Sequence, residues 1–520
     1  MGNKKTVINL AAAFITLVVQ MIISFWLSPF VVAKLGEEAY GFLNLANNFV
    51  SYASLISVAI NSMASRYISL EYNRGNIESS KKYFGSVFIV NCILYALILI
   101  VSIFFIGNIE QFINVTPALV MQVKATFFLS VINMGVSLIG TVYTAATFAT
   151  GLMHINSIIQ IIGNVVKSVL IFALFMILPA KIYFLSIAIL LSSIIIFIGN
   201  YIWTKKLLKG FTISLKYFDI RKIIQLIKSG IWILASNVSN LLLNGLDLLF
   251  SNIFISGAIM GRLSLAKQIP MALANALGVF SNIFSSALTK VFAEKGEKSI
   301  ADEVNSQLRI LTLFFSVVYA GLIVYGRDFL GLWLGEVEYS SQEINQIYVL
   351  MLLTLVDIIV STYMYSIHSV FIAVDAVRIY SITLFVASVI SLSVTVLLLN
   401  FTPLGVYAIA GTSTIVLGFT HGIIVPAQAA VLLKENRAVF WKTEIKSWAV
   451  LLMLTVIFGI IRLLLDSSSW GTFIISVIVC AIIGYGLSFV TVLSHDERQA
   501  IMNGAIRTLK KNKGKMDNDG

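Results

Sequence analysis

Long apolar runs parted by short polar connections organise this chain from end to end. A bilayer core about 30 Å thick needs roughly 20 apolar residues per helix. Fourteen stretches reach that length: 7–33, 41–65, 83–107, 123–147, 156–178, 181–203, 230–255, 263–289, 308–326, 345–371, 379–400, 404–430, 446–465 and 470–493. The pattern predicts an all-α polytopic membrane protein. Only Pro179 and Ala180 part the fifth stretch from the sixth, so twelve or thirteen spans are the alternative counts. The first stretch is too long for a secretory leader, and Glu37 and Glu38 stand where a small-residue cleavage site would be expected.

Composition points the same way. Hydrophobic residues make up 58% of the 520 positions and charged residues 12%, against about 25% charged in a soluble domain. Too few charges are present to cover a large soluble enzyme. The two cysteines, Cys92 and Cys480, lie in apolar runs and do not form a disulfide framework. With the N-terminus placed inside, the inner loops and tails hold 28 of the 36 lysines and arginines and the outer side holds 7. That bias sets both termini in the cytoplasm. It also accounts for the net charge of +12 without a nucleic-acid partner. The connection 204–229 carries seven basic residues and one acid, Asp219. Its Ile220, Ile223, Ile224 and Ile227 fall on one helical stripe, which predicts either an amphipathic helix on the inner leaflet or a simple topology anchor.

The chain repeats itself at an offset of about 220 residues. Gly41-x-Leu43-x-Leu45-Ala46 recurs as Gly261-x-Leu263-x-Leu265-Ala266, followed by the polar pairs Asn47-Asn48 and Lys267-Gln268. Ile106-Gly107 and Tyr325-Gly326 likewise close corresponding spans. Six spans separate the copies, so both halves share one orientation, the parallel-repeat plan of secondary transporters. The expected organisation is an N-lobe at 1–203 (spans 1–6), a basic linker at 204–229, a C-lobe at 230–430 (spans 7–12), two further spans at 431–493 and a basic tail at 494–520.

Several short blocks resemble a known family. The segment from Leu27 to Gly41 (LSPFVVAKLGEEAYG), the segment from Ser65 to Glu71 (SRYISLE) with its following turn Asn73-Arg74-Gly75-Asn76, and Asp247 followed by Gly261-Arg262-Leu263-Ser264-Leu265-Ala266-Lys267 are similar to bacterial polysaccharide flippases. These share a superfamily with multidrug-and-toxin extrusion antiporters and lipid II flippases. The resemblance implies movement of undecaprenyl-diphosphate-linked oligosaccharides from the inner to the outer leaflet of the cell membrane by alternating access. It implies glycosyltransferases and a polymerase as partners along the same route, a monomer, and no cofactor beyond a coupling H+ or Na+. A lipid II flippase and a drug or cation antiporter on the same fold are the alternatives. The first is disfavoured by the absence of a basic residue in span 1, the second by a basic group at mid-membrane.

Ionisable groups at bilayer depth are costly, and each is a candidate site. Lys167 lies near the middle of its span with no acid nearby in that span, so its ammonium is a candidate for meeting a diphosphate. Asp247 and Lys267 lie on consecutive spans where they can pair, either as a structural link or with Lys267 binding substrate, and Asp247 and Asp357 are candidates for ion coupling. Gln20, Asn47, Asn48, Asn240 and Asn244, with Asn61, Asn275 and Asn282, suit a wet groove that meets sugar hydroxyls; hydrogen bonding between helices is the plainer role for any one of them. No GxxxxGK[ST] loop, HExxH or CxxC is present. Gly163 to Ser168 echoes a phosphate loop only in part, inside a span. A polymerase or acyltransferase would be the enzyme alternative, and the large outer loop expected of such a polymerase is missing.

Overall fold

The computed structural model describes residues 2–295, 299–335, 337 and 339–499. The side chains of Lys4, Lys5 and Asn282, and the tail beyond residue 499, lie outside the described residues. All regular structure among the described residues is helical. The long helices are α1 (Gly2–Leu35), α2 (Glu37–Asn73), α3 (Ile77–Gly107), α4 (Val120–Gly140), α5 (Met153–Ile177), α6 (Ile182–Leu207) and α7 (Ile220–Asn240). They continue with α8 (Asp247–Phe254), α9 (Gly257–Ala266), α10 (Gln268–Lys295), α11 (Ile300–Trp333), α12 (Ser341–Thr362), α13 (Met364–Ala373) and α14 (Val377–Phe401). The last are α15 (Val406–Phe419), α16 (Val425–Leu432), α17 (Trp441–Leu464) and α18 (Trp470–Val492). Among the described residues, thirteen helices, single or joined end to end, are long and apolar enough to cross a membrane; the bent pair α9–α10 makes a fourteenth.

Two helix breaks put main-chain polar groups at membrane depth. Between α9 and α10 the axis turns by 41° at Lys267. Pro270, three residues on, has no N–H to give the Ala266 carbonyl, so the turn is one hydrogen bond short. Between α7 and α8 the residues Leu241–Gly245 form a π turn. Such turns interrupt the regular ladder and bring main-chain carbonyls within reach of other partners.

By contact density the chain forms two units. One comprises residues 1–279 with 377–416, the other 280–376 with 417–520; of the three cuts, those after Val279 and Val416 fall inside helices. In the first unit, α2, α3 and α7 pack around Ile60, Ile68, Tyr83, Phe84, Ile223 and Leu226. Gly230 lets α7 reach the α2 backbone, since a methyl there would meet the Ala59 carbonyl at 2.0 Å. The expected amphipathic segment is the opening of α7 itself, continuous with its span. Its isoleucine stripe divides: Ile223 is buried, whereas Ile220, Ile224 and Ile227 are exposed. Lys222 lies 4.6 Å from the Tyr83 ring, whose hydroxyl donates to Gln225 at 2.6 Å. In the second unit, hydroxyls join the helices: Tyr319 with Thr362 at 2.6 Å and Thr312 with Ser447 at 2.6 Å. Arg462 spans from Asp328 to the Val324 carbonyl, 2.8 and 3.0 Å away.

Candidate functional site

The first unit contains a cavity of about 730 Å³ walled by α1, α2, α5 and the broken helices α7–α8 and α9–α10. Its lining includes Gln20, Asn47, Asn48, Lys167, Asn244 and Lys267, six positions singled out by their polarity at membrane depth. Asn240 is not part of this wall. It is exposed one turn earlier on α7, before the π turn that carries Asn244 into the cavity. Asp357 is also absent from the lining; it lies buried in the second unit, on α12, where Ser361 Oγ donates to its Oδ1 at 3.3 Å and contacts His421 Nδ1 at 3.1 Å.

The two cavity lysines differ in kind. Lys267 Nζ sits 2.6 Å from Asp247 Oδ2 and donates to the Asn244 carbonyl at 2.8 Å, so its charge is matched by a carboxylate. The π turn explains why this carbonyl is within reach, and the next one, on Gly245, accepts from Asn48 at 3.4 Å and from the Tyr52 hydroxyl. Lys167 is half-buried, and Asn164 Oδ1 at 3.3 Å is the one hydrogen-bond partner of its amine among the described residues. No carboxylate among the described residues is paired with it. The charged groups of the wall, taken with Asp247, therefore sum to one positive charge, held by Lys167. Around it, the side-chain amides of Gln20, Asn47 and Asn275 make no hydrogen bond to another described residue and are open to a ligand.

At one end of the cavity α2 and α9 begin in close contact. Gly41 and Gly261 bring the helices together: a methyl on Gly261 would lie 2.1 Å from the Glu37 carbonyl oxygen, and one on Gly41 would lie 2.9 Å from the Gly261 nitrogen. Asn44 Nδ2 donates to Ser264 Oγ at 2.7 Å. Both pairs are 220 residues apart, the offset read from the sequence. Arg262 clamps Glu37 with two bonds, Nε to Oε2 at 3.0 Å and Nη2 to Oε1 at 3.2 Å. Asn114 and Asn252 exchange further main-chain and side-chain hydrogen bonds of 2.8 and 2.9 Å.

Sequence reasoning missed Tyr40, Ser28, Asn44 and Ser264 in this region. Tyr40 donates to Ser28 Oγ at 3.1 Å and to Gln268 Oε1 at 3.3 Å. The repeat offset is the signal that relates Asn44 to Ser264.

Comparison with known proteins places this geometry. The family described as "Polysaccharide biosynthesis protein" matches residues 6–289. An uncharacterized membrane protein, EpsK of Bacillus subtilis (strain 168), is 23% identical over 501 residues, covering 96% of this chain and 97% of its own. A solved multidrug resistance MATE transporter of the MOP superfamily, in an inward-facing conformation, superimposes with a TM-score of 0.67 at 13% identity over 81% of this chain and 99% of its own. The lipid II flippase MurJ, in an inward closed conformation, gives 0.67 at 14% over 93% and 98%. A MOP transporter from Pyrococcus furiosus, whose binding pocket is described as having reverse polarity, gives 0.60 at 14% over 83% and 96%. At such identities the structural likeness speaks to the fold. The family match spans more than half of the chain and includes every residue that lines the cavity: this multi-pass membrane chain belongs to the polysaccharide biosynthesis protein family, built on the fold of MOP-superfamily transporters.

Proposed function

We propose that the chain is a flippase that carries undecaprenyl-diphosphate-linked oligosaccharides from the inner to the outer leaflet of a bacterial cytoplasmic membrane. The observation that carries this reading is Lys167, a cation without a carboxylate partner in a cavity whose other lysine is already paired. A diphosphate brings the missing negative charge, and in a wall of low dielectric that attraction is stronger than in water. The open amides of Gln20, Asn47 and Asn275, with Asn48 and Asn244, are the groups we assign to the first sugar. The same single positive charge repels cationic drugs, which favours a lipid-linked anion over a drug antiporter.

In the proposed cycle the two six-span repeats rock about their shared axis. The end where Glu37 meets Arg262 faces outward by the positive-inside reading, and both termini face the cytoplasm. The head group enters from inside while the lipid tail stays in the bilayer. Asp247 and Asp357 are our candidates for a coupling H+ or Na+. Asp247 is held by Lys267 at 2.6 Å, so a substrate anion that draws Lys267 away would free it to take a cation. Glycosyltransferases supply this substrate and a polymerase consumes the product.

The test is made in cells. Lys167→Ala should insert normally while sugar-loaded carrier lipid accumulates on the inner leaflet. Normal delivery to the outer leaflet in that strain removes Lys167 from the reading.

A further inference from the structure

A second cavity of the first unit, about 420 Å³, lies between α2, the end of α4, and α7. No charged side chain lines it among the described residues. Its polar groups are Ser54, Ser57, Asn61 and Ser62 on α2, Ser137 and Thr141 at the end of α4, and Asn237 on α7; Met134, Leu138 and Ile233 supply apolar surface. One polar run along α2 serves both cavities: Asn44, Asn47, Asn48 and Ser51 line the first, and Ser54, Ser57, Asn61 and Ser62 the second. The run from 44 to 62 extends about 27 Å along the helix at 1.5 Å per residue. On α7 the same holds: Asn237 lines the second cavity, Asn244 the first, and exposed Asn240 stands between them.

We infer that the second cavity is a carbohydrate subsite, continuous with the first, which receives the sugars farther from the diphosphate and so sets the length of glycan accepted. The inference rests on the flippase reading and deepens it. Its neutral wall offers nothing to a phosphate, whereas the mixture of hydroxyls, amides and apolar faces matches a sugar ring, with hydroxyls at its edge and C–H groups on its faces. The wall also has unspent capacity. Ser62 Oγ, Ser137 Oγ and the Asn240 amide make no hydrogen bond to another described residue. Asn237 gives one side-chain N–H to the Ile233 carbonyl at 2.8 Å, and its side-chain oxygen accepts from no described residue. Asn61 is different: it exchanges bonds of 3.1 and 3.0 Å with Asn91 and holds α2 against α3 as a fixed floor.

The test compares two fluorescent carrier lipids in proteoliposomes, a lipid diphosphate bearing one sugar and the same lipid bearing a complete repeat unit. The Ser62→Val, Ser137→Val, Asn237→Leu triple variant should slow the repeat unit about tenfold and leave the single sugar unchanged. Asn240→Leu alone, at an exposed position, should act in the same direction to a smaller degree. Lys167→Ala should slow both lipids. Equal slowing of both lipids by Asn240→Leu, or no slowing of the repeat unit by either variant, overturns the subsite. Wild-type protein that moves neither lipid overturns the flippase reading itself, and the subsite with it.

Discussion

Adding one methyl group at Gly261 tests whether the contact between α2 and α9 is the closed gate of the cavity. The alanine Cβ would stand 2.1 Å from the Glu37 carbonyl oxygen and 2.5 Å from its carbon, both main-chain atoms that cannot rotate away. Contacts below 3.0 Å are essentially never seen, so the helices must part by about 1 Å there. The Asn44–Ser264 bond, 2.7 Å long, would then stretch beyond hydrogen-bonding range, and the Arg262–Glu37 clamp would weaken. A neutral hydrogen bond contributes about 1 kcal/mol and a charge-assisted one about 2 kcal/mol, so the closed end loses about 3 kcal/mol. That is roughly a hundredfold change in the ratio of closed to open forms. The assay places a cysteine at Asn47, with Cys92 and Cys480 replaced by serine, and measures its labelling by an impermeant maleimide added outside intact cells. Gly261→Ala should raise the labelling rate steeply. Gly278→Ala is the control, because a methyl there meets nothing within 4 Å. Unchanged labelling in Gly261→Ala would refute the assignment of this contact as the gate.

Individual contacts set further expectations. Glu37→Arg or Arg262→Glu alone should lower transport several-fold, and the two together should restore it, as measured in cells. Asp247→Asn leaves Lys267 without its carboxylate and gives the cavity a second unmatched positive charge; anionic carrier should bind more tightly, by about tenfold, and turn over more slowly in a reconstituted assay. In the second unit, burial alone would raise the Glu497 carboxyl. Hydrogen bonds from Arg309, from Ser306 and from the Ser494 N–H outweigh it, and Arg309's charge adds to them, pulling the carboxyl down to about 2. A depressed carboxylate stabilises the fold above its unfolded pKa, about 4.3, and that contribution is lost as pH falls through about 2. Glu497→Gln should therefore lower the melting temperature at pH 7, and the difference from wild type should vanish near pH 2.

Hydropathy made the spans legible because lipid contact selects apolar side chains, yet it did not locate helix ends. The second stretch reads as 41–65, whereas α2 runs from Glu37 to Asn73, because main-chain hydrogen bonding continues past the bilayer edge. The stretch read as 263–289 is the bent pair α9–α10, where Lys267 and Pro270 mark a break that an apolar count passes over. Polar residues within spans were conspicuous because they are costly there, and Lys167, Lys267, Gln20, Asn47, Asn48 and Asn244 line one cavity. Their direction around the helix was less legible, as Asn240 shows. Ser28 gave no signal because a hydroxyl in a helix can satisfy itself on the carbonyl four residues back, as it does on Ser24 at 2.8 Å. The repeat announced that positions 44 and 264 correspond; only the packing reveals that they touch.

The most direct measurement is the rate at which purified protein moves a labelled lipid-diphosphate oligosaccharide across proteoliposomes, wild type against Lys167→Ala and Lys167→Arg. With equal thermal unfolding in all three, the alanine variant should fall at least about tenfold and the arginine variant should retain part of the activity, since it keeps the charge. Transport by Lys167→Ala at the wild-type rate would contradict a diphosphate held by this ammonium.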